Sequence, residues 1–191
     1  MTGHITLVSG PSGSGKSTLI TRFIAEHPQY RFPTSVTTRP PRPGEVQGVH
    51  YDFVDDAEFE RRRAAGAFLE WAHVYGLYYG TLKSTVLDGI ASGCLFLKDV
   101  DVQGAESLMG ILPASAVTSI FVAPPSFAVL EQRLRGRQSD QEGVVQKRIE
   151  EARREISRMD FFDHVITNHA VEQTYAEFSR IILARPGAGK S

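Results

Sequence analysis

One octapeptide narrows the folds open to this chain more than any other feature. Gly10-Pro11-Ser12-Gly13-Ser14-Gly15-Lys16-Ser17 satisfies every fixed position of G-x-x-x-x-G-K-[ST]. Ahead of it, Ile5-Thr6-Leu7-Val8 reads as a short buried strand. Behind it, Leu19, Ile20, Phe23 and Ile24 recur at helical spacing until Pro28 ends the run. Strand, glycine-rich turn and helix in that order make an anion nest. The glycines let backbone N–H groups turn inward, and the helix N-terminus adds its positive dipole end. Lys16 then reaches the β- and γ-phosphates, and the Ser17 hydroxyl can ligate Mg²⁺. The motif predicts that Gly10, Pro11, Ser12, Gly13, Ser14, Gly15, Lys16, Ser17 and Thr18 bind a nucleoside triphosphate. It leaves the fate of the γ-phosphate open. Gly187-Ala188-Gly189-Lys190-Ser191 imitates the tail of the motif with no strand before it, and reads as a frayed terminus.

The remaining pattern alternates short apolar runs with longer helical ones. Cys94-Leu95-Phe96-Leu97, Ile120-Phe121-Val122-Ala123 and Val165-Ile166-Thr167 read as strands buried on both faces of a parallel sheet. Val145, Ile149, Ala152 and Ile156 repeat at helical spacing, as do Val171, Tyr175, Phe178 and Ile182, and Ser126 is placed to cap a helix carrying Leu130 and Leu134. The alternation predicts an α/β sheet. A length of 191 residues suits one domain, and 41% hydrophobic with 23% charged residues excludes a disordered chain. The net charge of -1 argues against a nucleic-acid binder. A single cysteine, Cys94, excludes an internal disulfide and suits a reducing compartment. No apolar run approaches a membrane span, and the N-terminus lacks a basic signal head, so the expectation is a cytoplasmic protein without a membrane partner.

Residues 33–81 break the alternation, with four prolines, five glycines and four of the six tyrosines (Tyr51, Tyr75, Tyr78, Tyr79). So many turns and aromatics predict an inserted subdomain built around a ligand. Within it, Thr37-Thr38-Arg39-Pro40-Pro41-Arg42-Pro43-Gly44-Glu45 is forced toward an extended path with three residues per turn, which points Arg39 and Arg42 the same way as a phosphate clamp. Farther on, Asp99 and Asp101 follow an apolar strand. A carboxylate at a strand's C-terminal end is well placed to hold Mg²⁺ directly or through water.

Taken together, these motifs resemble the guanylate kinase family. The resemblance rests on the phosphate loop, Ser35-x-Thr37-Thr38-Arg39-x-Pro41-Arg42-x-Gly44-Glu45, Gly48-x-x-Tyr51-x-Phe53, Phe68-Leu69-Glu70-Trp71-Ala72, Gly76-x-Tyr78-Tyr79-Gly80-Thr81, Asp99-Val100-Asp101-x-Gln103-Gly104 and Arg133-Leu134-x-Gly136-Arg137. It runs over roughly residues 4–183. It implies a kinase with a parallel five-stranded core sheet flanked by helices, an inserted GMP-binding region and a lid. As segments, these are a core of 1–32, 84–125 and 157–191, an insert of 33–83 and a lid of 126–156. It implies transfer of the γ-phosphate of ATP to GMP, and to dGMP, with Mg²⁺. Ser35, Arg39, Arg42, Tyr51 and Tyr79 would hold the GMP phosphate, and Glu70 and Thr81 would read guanine. Asp99 would serve both GMP and metal, with Ser17 and Asp101 as further metal ligands. Lys16, Arg133, Arg137 and Arg148 would be catalytic, and Asn168 would lie near adenine. Arg133 and Arg137 are also four apart on one expected helix face, as converging charges for phosphoryl transfer require.

There are three departures from the family pattern. Lys98 stands where an aliphatic residue is usual, and a lysine there must snorkel or meet phosphate or carboxylate. Gln138 replaces a glycine after Arg137, and His169-Ala170 replaces an acidic pair. A catalytically inactive interaction module is one competing reading, disfavoured because Lys16, Ser17, Arg39, Arg42 and Asp99 are all present. A sugar-phosphate kinase is another, disfavoured by Glu70 and Thr81. Arg61-Arg62-Arg63 reads as a solvated helix face, the scattered histidines give no zinc spacing, and Cys94 reads as a small core residue. Trp71 reads as packing beside Glu70.

Overall fold

The apolar runs of the sequence become strands of one parallel sheet. The computed structural model describes residues 3–74, 76–136 and 142–184. In its first half, β1 (His4–Ser9) leads to α1 (Lys16–Glu26), β2 (Tyr30–Arg31), β3 (Ser35–Thr37), β4 (Tyr51–Phe53) and α2 (Asp56–Ala64). There follow β5 (Phe68–Val74), β6 (Leu77–Leu82), α3 (Lys83–Ala91), β7 (Leu95–Asp99) and α4 (Val102–Ile111). The last part holds β8 (Val117–Ala123), α5 (Phe127–Arg135), α6 (Glu142–Ile156), β9 (His164–Thr167) and α7 (Val171–Leu183).

The five-stranded sheet has the order β2-β7-β1-β8-β9, every pairing parallel. Alternation along the strands divides the core in two. Ile5, Leu7, Phe96 and Phe121 pack toward Val102, Ala105 and Leu108 of α4. Val8, Leu97, Ile120, Val122 and Ile166 pack on the other side against Phe23 of α1 and Tyr175, Phe178 and Ile182 of α7. Such two-sided burial is what near-continuous apolar runs require. The expectation fails only at β9, where Ile166 alone is buried, because that strand is the edge of the sheet.

The aromatic-rich stretch forms a second sheet of order β4-β3-β6-β5, in which only β3 and β4 are parallel. Its own small core is Val36, Phe59 and Phe68, with the Phe59 ring stacked on Phe68 at 4.5 Å and on Tyr78 at 5.0 Å. β3 and β4 do not follow from the sequence pattern, since three-residue strands are too short to show alternation. Two other readings are corrected here. Arg62 is not a freely solvated residue: its side chain is 23% exposed and bridges Asp52 and Glu58, both at 2.5 Å, and so ties α2 to β4. Trp71 lies half in solvent with the Arg63 guanidinium 4.8 Å over its ring.

Ser126 caps α5 as expected, accepting from Val129 N at 3.2 Å. Leu130 and Leu134 then pack on Val145, Ile149 and Ala152 of α6. The helix α5 stops at Arg135, with Gly136 as its cap. Arg137, Gln138 and the terminal glycine-rich segment lie outside the described residues. Cys94 is half-buried, and Arg31 donates to its sulfur at 2.6 Å. Among the described residues, no helix is long and apolar enough to cross a membrane.

Candidate active site

The turn between β1 and α1 is shaped by glycine. Gly10 has φ 134° and Gly15 has φ 97°. A Cβ on Gly10 would run into the Val122 carbonyl, and one on Gly15 into Asn168 Nδ2. Gly15 is also the cap residue of α1, and no side chain caps that helix. Its first-turn N–H groups are therefore left for an anion. Lys16 Nζ donates to the carbonyl oxygens of Gly10 and Pro11. Arg133 Nη1 reaches in from α5 to the Gly13 carbonyl at 3.1 Å. Asn168 is buried and donates from Nδ2 to the Ser14 carbonyl at 2.8 Å.

Pro11, Gly13, Gly15, Lys16, Arg133 and Asn168 line a cleft of about 810 Å³ that also takes in Ser17, Thr18, Asp99 and Asp101. Asp99 terminates β7, beside β1, so the parallel register brings it opposite Val8 and the start of the loop. Its side chain faces the cleft. Even so, the surrounding protein strips away enough water to raise its carboxyl above the usual range, against the pull of Lys16 and Lys98. Asp101 Oδ1 accepts from Gly104 N at 2.6 Å and so caps α4, a role the sequence reading did not assign. Arg148, half-buried on α6, stands outside the residues lining this cleft.

A second cavity, of about 740 Å³, opens on the other side of Asp99, with Ser35, Glu45, Tyr51 and Lys98 in its wall. Arg39 lies over the Tyr51 ring at 5.5 Å, and the Tyr51 and Tyr79 rings are 6.4 Å apart. The Arg39 guanidinium is gripped by both oxygens of Glu45, at 2.8 and 3.0 Å, and Glu45 also accepts from Arg42 N at 2.6 Å. The Arg39 hydrogen bond, with help from Arg42, holds the Glu45 carboxyl below the usual range. Glu45 is thus a positioning residue that sequence reasoning passed over, although its place in the Gly44-Glu45 motif was in view. Arg42 itself is exposed, and its guanidinium makes no hydrogen bond or ion pair among the described residues.

Glu70 lines a smaller neighbouring cavity with Asp101 and Gln103. The register places Glu70 of β5 opposite Thr81 of β6. Thr81 Oγ1 donates to Glu70 Oε1 at 2.6 Å, and Lys98 Nζ sits 3.1 Å from the same oxygen. Thr81 has no exposed surface, so it acts on a ligand only through its neighbours.

A parallel α/β sheet with a glycine-shaped turn after its first strand, and a separate sheet bearing arginine and carboxylate across the cleft, is the architecture of a nucleotide-binding enzyme with two cavities. The comparisons with known proteins narrow this class. The family model described as guanylate kinase matches residues 2–185. Guanylate kinase of Neisseria gonorrhoeae is 44% identical over 182 residues, covering 95% of this chain and 88% of that one. Guanylate kinase of Idiomarina loihiensis is 42% identical over 185 residues, covering 96% and 87%. The crystal structure of guanylate kinase from Anaplasma phagocytophilum superposes with a TM-score of 0.69 at 32% identity, over 96% of this chain and 86% of that one. The chain belongs to the guanylate kinase family.

Proposed function

We propose that the two cavities meeting at Asp99 carry the transfer of the γ-phosphate of ATP to GMP. As a member of the guanylate kinase family, the chain is an ATP-dependent kinase of GMP. The assignment of its residues rests mainly on one observation: Asp99 lines both the cleft of the phosphate loop and the cavity of the second sheet. Two substrates seated there would face each other end to end. The loop N–H groups and Lys16 would hold the ATP phosphates, and Arg133 would add charge at the loop. Ser35, Arg39, Arg42, Tyr51 and Tyr79 would hold the GMP phosphate, and Glu70 would take the guanine edge. Asn168 braces the loop beneath the nucleotide.

Ser17 and Asp99 suit Mg²⁺, because a hydroxyl and a carboxylate are the hard oxygen donors that this ion takes. Among the described residues, no group of three or more His, Cys, Asp or Glu side chains could hold a metal alone, which fits an ion shared with nucleotide phosphates. Bound there, Mg²⁺ would neutralise charge on the β- and γ-oxygens. Asp101, spent on its cap, has one oxygen left for such a role. Closure of residues 126–156 as a lid would bring Arg133 down and exclude water, the competing acceptor. We assign the protein to the cytoplasm, with ATP and GMP as its small-molecule partners and dGMP as a second acceptor. A coupled ADP-release assay with Mg-ATP tests this over a panel of nucleoside monophosphates and ribose phosphates. GMP and dGMP should be the acceptors used, and equal use of a ribose phosphate would refute the guanine pocket.

A further inference from the structure

We infer that Lys98 is a positioning residue for the guanine-reading carboxylate, an inference that rests on the assignment of Glu70 to the base. Lys98 lies near the end of β7, opposite Leu7 in the register, and its side chain is only 11% exposed. An ammonium in so sheltered a place costs free energy unless it is paired. It is paired twice, donating to Thr81 Oγ1 at 2.7 Å and lying 3.1 Å from Glu70 Oε1.

The chemistry of the three groups gives this cluster a direction. Lysine has three donors and no acceptor, so the Thr81 hydroxyl can only accept from it. The single Thr81 proton is then turned toward Glu70 Oε1, where the 2.6 Å contact places it. Glu70 Oε1 is therefore held from behind by the Thr81 proton and by the Lys98 charge 3.1 Å away. Oε2 accepts no hydrogen bond among the described residues. Lys98 thus does two things: it fixes the polarity of the buried hydroxyl, and it locks the carboxylate rotamer so that one oxygen is left to accept from a base. An aliphatic side chain at this position would leave the Thr81 hydroxyl free to turn and Glu70 held by one donor at most.

Lys98→Met keeps the length of the side chain and removes the donor. The Michaelis constant for GMP should rise about 10-fold while kcat at saturating GMP changes less than about 2-fold, because the group acts on binding of the base and not on the transferred phosphate. The ATP constant should be unchanged, which separates this effect from misfolding. Lys98→Arg, which keeps a charged donor, should recover most of the loss. Thr81→Val combined with Lys98→Met should cost no more than the worse single change, since both act through one chain of hydrogen bonds. GMP binding by Lys98→Met as tight as wild type, or tighter, would overturn the inference, as would a loss of kcat shared by every acceptor. If Glu70→Gln lowers base selectivity while Lys98→Met leaves GMP binding alone, Lys98 is a bystander and the reading of Glu70 stands. If neither changes anything, the reading of Glu70 fails as well.

Discussion

Asn168 Nδ2 donates to the carbonyl of Ser14 at 2.8 Å, joining the residue that follows β9 to the middle of the phosphate loop. The bond spans the end of β8, which lies between β1 and β9, and Gly15 must lack a side chain for Asn168 to approach. Asn168 itself is held there by its backbone, whose N–H donates to Ala123 O at 2.9 Å. The loop is therefore braced from the far strands as well as by its own turn.

Removing that brace should loosen ATP binding. Asn168→Ala leaves the Ser14 carbonyl without its partner, at a cost of about 1–3 kcal/mol. Steady-state kinetics should show a Michaelis constant for ATP raised about 10-fold or more, with the constant for GMP unchanged. Equal changes for both substrates would mean that the residue supports the whole cleft.

The two arginines proposed to clamp the GMP phosphate are not equivalent. The Arg39 side chain is 12% exposed and fixed by Glu45, whereas Arg42 is open to solvent. Losing one partner of a sheltered charge pair costs about 2–5 kcal/mol, and an exposed one costs less. Calorimetry should find Arg39→Ala weakening GMP by more than Arg42→Ala does, with guanosine little affected by either. A loss for guanosine equal to that for GMP would remove the clamp from the account.

Acid should act through Glu58. Hydrogen bonds from Arg61 and then Arg62 lower its carboxyl from 4.5 to about 2. A carboxylate whose folded value is depressed stabilises fully above its unfolded value and loses that contribution as the pH falls toward the folded one. The difference in Tm between wild type and Glu58→Gln should therefore be greatest near pH 6 and shrink below about pH 4.5. High salt should reduce it throughout, because Arg61, the first of its two partners, is exposed. A difference constant from pH 6 to pH 3 would contradict the assignment.

Much of the core and of the phosphate loop was legible in the sequence, because buried parallel strands and an N-terminal glycine turn leave local signals. Ile5–Val8 and Ile120–Ala123 are such cases, as is the cap at Ser126. The second sheet was not legible, since Ser35–Thr37 and Tyr51–Phe53 pair only through contacts distant in sequence. The same limit hid the roles of Glu45 and Arg62. At Lys98 the sequence posed the requirement for an anionic partner, and the fold supplied Glu70 from a strand 28 positions away. Asp101 carries a role the pattern does not show: a carboxylate after a strand reads as a metal ligand, and the helix that follows takes one of its oxygens as a cap.

The most direct test concerns base selectivity through Glu70. Guanine offers two adjacent donors, N1–H and N2–H, whereas adenine turns a lone pair at N1 toward the carboxylate and leaves its charge unmatched. Glu70→Gln replaces one acceptor oxygen with a donor amide. The ratio of kcat/KM for GMP over AMP should fall by at least about 100-fold. An unchanged ratio would show that guanine is read elsewhere.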